Sequence, residues 1–181
     1  MSNLEKVYSL EISKNNIQNT VRFFFISKGV QDVVKAIEYS YVQEFDGKPM
    51  FNLGFGNYDI DIDKIEDLST NNNGDVYIVF STVLSSIPEF FKINPASILL
   101  VQGSDSSPEF LEKCKLICKK KCTYECKKFR QRITIYKKYV NDNYDELKLE
   151  YKFYGGIKSD AGTIIETYVP KKDYDAFFVY K

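Results

Sequence analysis

Histidine is absent from the 181 residues. Its absence removes the commonest general base, the Ser-His-Asp and Cys-His arrangements of nucleophilic catalysis, and every zinc site built on imidazole. Arginine is scarce, confined to Arg22, Arg130 and Arg132, whereas lysine, asparagine, isoleucine and tyrosine are plentiful. Lysine clusters therefore reflect a bias of composition as much as a site. An excess of one charge is also missing. The 25 basic residues balance 25 acidic ones, so no global positive field points to nucleic acid or membrane, although a local basic patch is still open. Apolar runs such as Val21-Arg22-Phe23-Phe24-Phe25-Ile26 fall far short of the roughly 20 residues that cross a bilayer. Met1-Ser2-Asn3-Leu4-Glu5-Lys6 lacks the charged-then-apolar order of a secretory signal. A cytoplasmic protein without a membrane partner is expected.

Apolar residues make up 44% of the chain, enough for one sizeable core, and the length suits one domain over residues 1–181. Val21 to Ser27, Val33 to Gln43 and Met50 to Tyr58 read as strands joined by the turn signals Lys28-Gly29 and Asp46-Gly47, which implies an antiparallel meander. Val7 to Ile12 adds a short strand in front, before the Lys14-Asn15-Asn16 break. Asn71-Asn72-Asn73-Gly74-Asp75 starts a helix, and Val76, Val79, Phe80, Val83, Leu84 and Ile87 at helical spacing carry it to about Phe91. After Asn94-Pro95, Ser97 to Val101 is an unbroken apolar run, as in a central strand buried on both faces. Gly103-Ser104-Asp105-Ser106-Ser107-Pro108-Glu109 then combines a turn, a serine cap, an early proline and an acid, and starts a long helix from Pro108 into the 130s. Asn141-Asp142-Asn143 interrupts that helix and Tyr144 to Leu147 forms a short piece. Strands at Lys152 to Tyr154, Thr163 to Val169 and Ala176 to Tyr180 close the chain. The expected fold class is α+β, a mixed and mainly antiparallel sheet with two main helices, in an order analogous to the ribonuclease-H-like fold. Fold order does not give function.

The stretches Phe51-Asn52-Leu53-Gly54-Phe55-Gly56-Asn57-Tyr58, Asn72-Asn73-Gly74-Asp75, Gly103-Ser104 and Arg130-Gln131-Arg132 with Tyr136 resemble an uncharacterised family of small bacterial proteins common in Bacteroidota. Its pattern is an NLGFGD strand end, an NNGD helix start, a GS strand end and an R-x-R-L-Y segment. The resemblance runs from about Arg22 to Tyr180 and implies no established activity. Two departures stand out. Asn57 takes the place of the strand-end Asp, and Asp105 to Lys128 separates Gly103-Ser104 from Arg130 where the family has a few residues, so residues 105–128 read as an insertion or helix extension.

Five constellations carry the chemistry. Cys114, Cys118, Cys122 and Cys126 recur every four residues, which on a helix places each sulfur about 40° around and about 6 Å along from the last. A continuous helix would separate the end sulfurs by roughly 18 Å, too far for one tetrahedral ion, and the stripe continues through Leu111, Phe129 and Ile133. Packing in the core is the expected role, with a metal or intermolecular thiol site and a disulfide as alternatives. Asp59, Asp61 and Asp63 alternate with Ile60 and Ile62 like the opening of a calcium loop, but Lys64 stands where that loop needs Gly and Thr70 where it needs Glu. Acids facing water and isoleucines facing in account for the alternation. Asp75 and Asp105 are the candidate catalytic carboxylates of a metal-dependent nuclease, with Glu38 or Asp59 as a third, because the first strand carries no acid. Helix-start and turn roles explain both equally well.

Gly103, Ser104, Ser106 and Ser107 end a buried strand where free N–H groups hold anions, and Arg130 and Arg132 would be phosphate partners if the chain brings them back there. Lys119-Lys120-Lys121, Lys127, Lys128 and both arginines make residues 113–138 strongly basic, with Tyr124, Phe129, Tyr136 and Tyr139 interleaved as in binders of single-stranded nucleic acid. A solvated lysine face explains the same run. A non-enzymatic binding or interaction module is therefore expected, with nucleic acid or a protein as partner and no cofactor, and a metal-dependent enzyme on nucleic acid or nucleotides as the alternative.

Overall fold

The structure is a computed structural model that describes residues 6–15, 19–66, 73–117, 122 and 125–181, apart from the side chains of 14 and 15. The chain forms two compact units, Met1–Ser97 and Ile98–Lys181. Helices and antiparallel strands alternate only coarsely along it, and the fold class is α+β.

In the first unit, β1 (Glu11–Asn15), β2 (Thr20–Ser27), β3 (Val33–Phe45), β4 (Lys48–Asp59) and β5 (Lys64–Glu66) pair in chain order as an antiparallel meander. The strand expected at Val7 to Ile12 lies later, at Glu11–Asn15. Alternation along β2 buries Val21, Phe23 and Phe25 on one face. Asp46 and Gly47 both take positive φ, 51° and 70°, the primed-turn geometry that matches strand twist and joins the Phe45 and Lys48 pair.

The helix α1 (Val76–Ile93) buries Val79, Val83, Phe90 and Phe91 and touches β2 and β3. The Tyr39 ring stacks on Phe90 at 4.3 Å and its hydroxyl shares a 2.6 Å hydrogen bond with Ser86. By length and apolarity α1 would pass as a membrane span. The reading by uninterrupted runs missed this because Ser81, Thr82, Ser85 and Ser86 break the run; Thr82 and Ser86 return their hydroxyls to the carbonyls of Ile78 and Val83.

The second unit holds β6 (Ile98–Gln102), α2 (Pro108–Ile117), α3 (Gln131–Leu147), β7 (Lys152–Ser159), β8 (Gly162–Thr167) and β9 (Ala176–Tyr180). Its strands run in the order β6-β9-β7-β8, antiparallel at each pairing. Ile98 and Leu99, neighbours on opposite faces of β6, are both fully buried, as the apolar run required. The Tyr174 ring occupies the space over Gly155, where an added Cβ would meet a ring carbon at 2.1 Å.

Two helical expectations are overturned. The single long helix from Pro108 into the 130s is two, because residues 122 and 125–130 are not helical, and they lie between α2, described to Ile117, and α3, which begins at Gln131. Among the described residues three helices thus stand where two main ones were expected. Asn141-Asp142-Asn143 does not interrupt α3 either. Asn143 returns its amide to the Tyr139 carbonyl, Asp142 pairs with Lys138 one turn back, and Asn141 accepts from the Tyr168 hydroxyl and the Lys171 N–H. Local and tertiary bonds absorb the polar groups that would otherwise compete with the helix. The ribonuclease-H-like order is not confirmed.

Candidate functional site

The turn after β6 is built around Asp105. Ser107 caps α2 as expected, its hydroxyl accepting from the Phe110 N–H at 3.2 Å ahead of Pro108 in the first turn. Asp105 is 5% exposed, and its carboxylate accepts from the Arg132 N–H at 2.9 Å while its carbonyl accepts from the Arg130 N–H at 3.0 Å. It thereby supplies the negative charge that the start of α3 favours, from 27 residues away in sequence. Gly103 permits the close approach, since a Cβ there would stand 2.5 Å from the carboxylate, 2.8 Å from the Ser106 hydroxyl and 3.2 Å from the Ile133 nitrogen.

The chain does bring the arginine segment back to this turn, but the anion at the helix start is the protein's own. Arg130 sits in the left-handed region at φ 56°. Its guanidinium pairs with Asp175 at 2.8 Å and with Asp173 at 3.6 Å. Lys137 also binds Asp173, and its hydrogen bond, with Arg130 adding attraction, holds that carboxyl below its ordinary range against the opposing effect of burial. Asp173 and Asp175 were missed from the sequence; the one signal for them was two acids in the Lys171-Lys172-Asp173-Tyr174-Asp175 run. Ser104 and Lys127 are exposed, while Ser106, Ser107, Lys128 and Arg132 are half-buried. Of the interleaved aromatics, Tyr136 is buried, Phe129 and Tyr139 are half-buried, and Tyr124 lies outside the described residues with Lys119, Lys120 and Lys121.

Asp75 is also engaged. It stands at the helix start but makes no side-chain cap; its carboxylate accepts from the Ser27 hydroxyl at 2.7 Å and the Tyr8 hydroxyl at 2.8 Å. Asn73 donates to Ser27 and to the Gln31 carbonyl at 2.8 Å, and a Cβ on Gly29 would strike the Asn73 side chain at 2.5 Å. Asn73 and Asp75 of the helix-start motif thus tie the β2–β3 turn to α1; Asn71 and Asn72 lie outside the described residues. Glu38 pairs with Arg22, which also meets Asp63 at 2.5 Å. Asp59 accepts from the Asp61 N–H at 2.9 Å. Among the described residues no group of three or more Cys, Asp or Glu is gathered as metal ligands. Ile60 and Ile62 are 69% and 55% exposed, so the expectation that they face inward fails: residues 60–63 form the β4–β5 turn rather than a strand. Thr70 lies outside the described residues.

The cysteine stripe is also overturned. Cys122 and Cys126 lie outside any helix, so the four-residue spacing does not run along one helix face. Cys114 is buried on α2, Cys122 and Cys126 are half-buried beyond it, and Cys118 lies outside the described residues. The Cys126 sulfur comes back to 3.5 Å from that of Cys114, and the Cys122 sulfur accepts from the Lys127 N–H at 3.4 Å.

The two units differ in charge. Residues 1–97 carry 8 basic and 13 acidic side chains, and residues 98–181 carry 17 and 12, a net −5 against a net +5. Within the second unit, residues 113–138 hold 11 basic residues and one acidic residue, Glu125.

Residues 5–112 match a family of unknown function. The match takes in the Asn73-Gly74-Asp75 knot and Gly103 to Ser107 and stops before Arg130. No curated protein and no solved structure matches the chain.

Proposed function

Because the chain belongs to DUF6934, a family of unknown function, the reading proceeds from its own residues, and we propose a non-enzymatic binding module that takes an anionic partner, single-stranded nucleic acid first, on the basic segment leading into α3. The carrying observation is the buried Asp105 clamp: one carboxylate and one carbonyl hold the backbone of Arg130 and Arg132, fixing where the lysines before them emerge. The charge of 11 basic against one acidic residue in 113–138 supplies the attraction. Arg130 acts inward on Asp175, so Lys127, Lys128 and Arg132 form the contact surface. Supporting the non-enzymatic reading, Asp75 and Asp105 are both committed as acceptors within the fold. A cytoplasmic location, a bacterial source of the Bacteroidota type, and the NLGFGD, NNGD, GS and R-x-R-L-Y pattern as the family's shared signature belong to the same proposal.

The test is a gel-shift titration with labelled single-stranded RNA and DNA at several salt concentrations, with and without manganese. Binding is expected to weaken with salt, with a log–log slope of about 0.7 per phosphate contacted. The double substitution Lys127→Ala with Lys128→Ala should shallow that slope and leave the fold unchanged. Absence of any shift at low salt, or a shift indifferent to the lysines, refutes nucleic acid as the partner. Manganese-dependent shortening of the strand, lost in Asp105→Asn, replaces the module with the metal-dependent enzyme.

A further inference from the structure

We propose that Cys114 and Cys126 form a reversible disulfide site, oxidised by a low-molecular-weight disulfide and restored by thiols. Their sulfurs lie 3.5 Å apart across 12 residues of chain, one on α2 and the other at the turn that leads into α3. A disulfide bond measures roughly 2.05 Å, so the gap to close is about 1.5 Å, a distance within the reach of side-chain rotation about Cα–Cβ. Both sides of the pair are anchored. Ser107 caps α2, the Phe129 N–H donates to the Cys126 carbonyl at 2.9 Å, and Asp105 holds the Arg130 N–H next along the chain. Folding has therefore already closed the loop that a disulfide would close, which raises the effective concentration of one thiol at the other.

Exposure assigns the two roles. Cys114 is 3% exposed whereas Cys126 is half-buried, so an incoming disulfide meets Cys126 first. The Cys126 thiolate attacks one sulfur of that disulfide, forms a mixed disulfide with it and expels the other half as a thiolate. The Cys114 thiolate then attacks the Cys126 sulfur and expels the second half. Two protein thiols are oxidised, one small disulfide is reduced to two thiols, and the two protons leaving the cysteines end on those thiols. Lys113 and Lys115 flank Cys114 in sequence, and Lys127 and Lys128 follow Cys126, the electropositive setting in which reactive cysteines occur. The product ring ties α2 to the turn before α3. This is sulfur chemistry, so it stands or falls separately from the lysine and arginine surface of the nucleic-acid reading.

The decisive experiment equilibrates the full, reduced chain with glutathione buffers running from reduced to oxidised, traps the remaining thiols by alkylation and reads the mass. The chain should lose two hydrogens in one transition, and excess dithiothreitol should restore both thiols. Trypsin with a glutamate-specific protease cuts after Lys113, Lys115, Lys121, Glu125 and Lys127, which places each of the four cysteines on its own peptide. The link should join Cys114-Lys115 to Cys126-Lys127. Cys114→Ser should halt at the mixed glutathione adduct on Cys126, and Cys126→Ser should abolish the link, each with an unchanged far-UV circular dichroism spectrum. A link that joins other cysteines, or no link in the folded wild-type chain under excess glutathione disulfide, overturns the site, and neither result depends on a variant folding. So does an equal share of the Cys114–Cys126 link in the urea-unfolded chain, because the fold would then not be what places the pair.

Discussion

Replacing Asp105 is the most direct test of how the second unit is held together. Asp105→Ala removes the acceptor for the Arg132 N–H, leaving a part-buried donor unpaired at a cost of about 1–3 kcal/mol. It also removes the negative charge at the start of α3, about 0.3–1 kcal/mol more. Together the loss is about 1–4 kcal/mol. For a chain of this length each kcal/mol lowers the melting temperature by roughly 2–4 °C, so a drop of about 2–16 °C is expected. Asp105→Asn keeps an oxygen acceptor and loses only the charge, so its cost should stay near 1 kcal/mol or below. Urea titration followed by far-UV circular dichroism reads both variants on one scale, with unchanged slope as the sign that the folded state is intact. If the alanine variant falls within 0.5 kcal/mol of the parent, or the two variants are equally destabilised, Asp105 does not cap α3 and the clamp argument fails.

Gly155→Ala should destabilise by about 1–3 kcal/mol in the same titration, because its Cβ would overlap the fully buried Tyr174 ring, whose hydroxyl donates to Glu166 at 2.7 Å. Asp173 is held below its ordinary range in the folded chain, so its contribution is present at neutral pH and is lost as pH falls below about 4; thermal melts across pH 2–7 should show a shallower acid limb in Asp173→Asn. The Tyr168 hydroxyl, desolvated by burial and set among Tyr174 and Tyr144, is pushed up to about 12, so folding stability should fall as pH rises between 10 and 12, and Tyr168→Phe should flatten that decline.

The first unit was largely legible because its signals are local. Asp46-Gly47 specifies a two-residue hairpin by its own backbone preferences, and the apolar spacing of α1 is strong enough to override Pro88 within the helix. The second unit was less legible because its decisive contacts are distant. Between Glu109 and Tyr154 no Gly or Pro marks a break, and four cysteines at a spacing of four imitate a helical face. What starts α3 is Asp105, and no window of neighbouring residues contains that bond. The same holds for the site: Arg130 and the Gly103–Ser107 turn were found in the sequence, whereas Asp173 and Asp175, which occupy the arginine, were not.

The bonds from Asp105 to Arg130 and Arg132 close a circuit of about 25 residues at its base. Such a circuit is tolerant of length: doubling it costs only about 0.6 kcal/mol of closure entropy, and its two ends stay where the sheet needs them. A change of length inside the circuit that leaves Asp105, Arg130 and Arg132 bonded therefore keeps the start of α3 in place beside the end of β6.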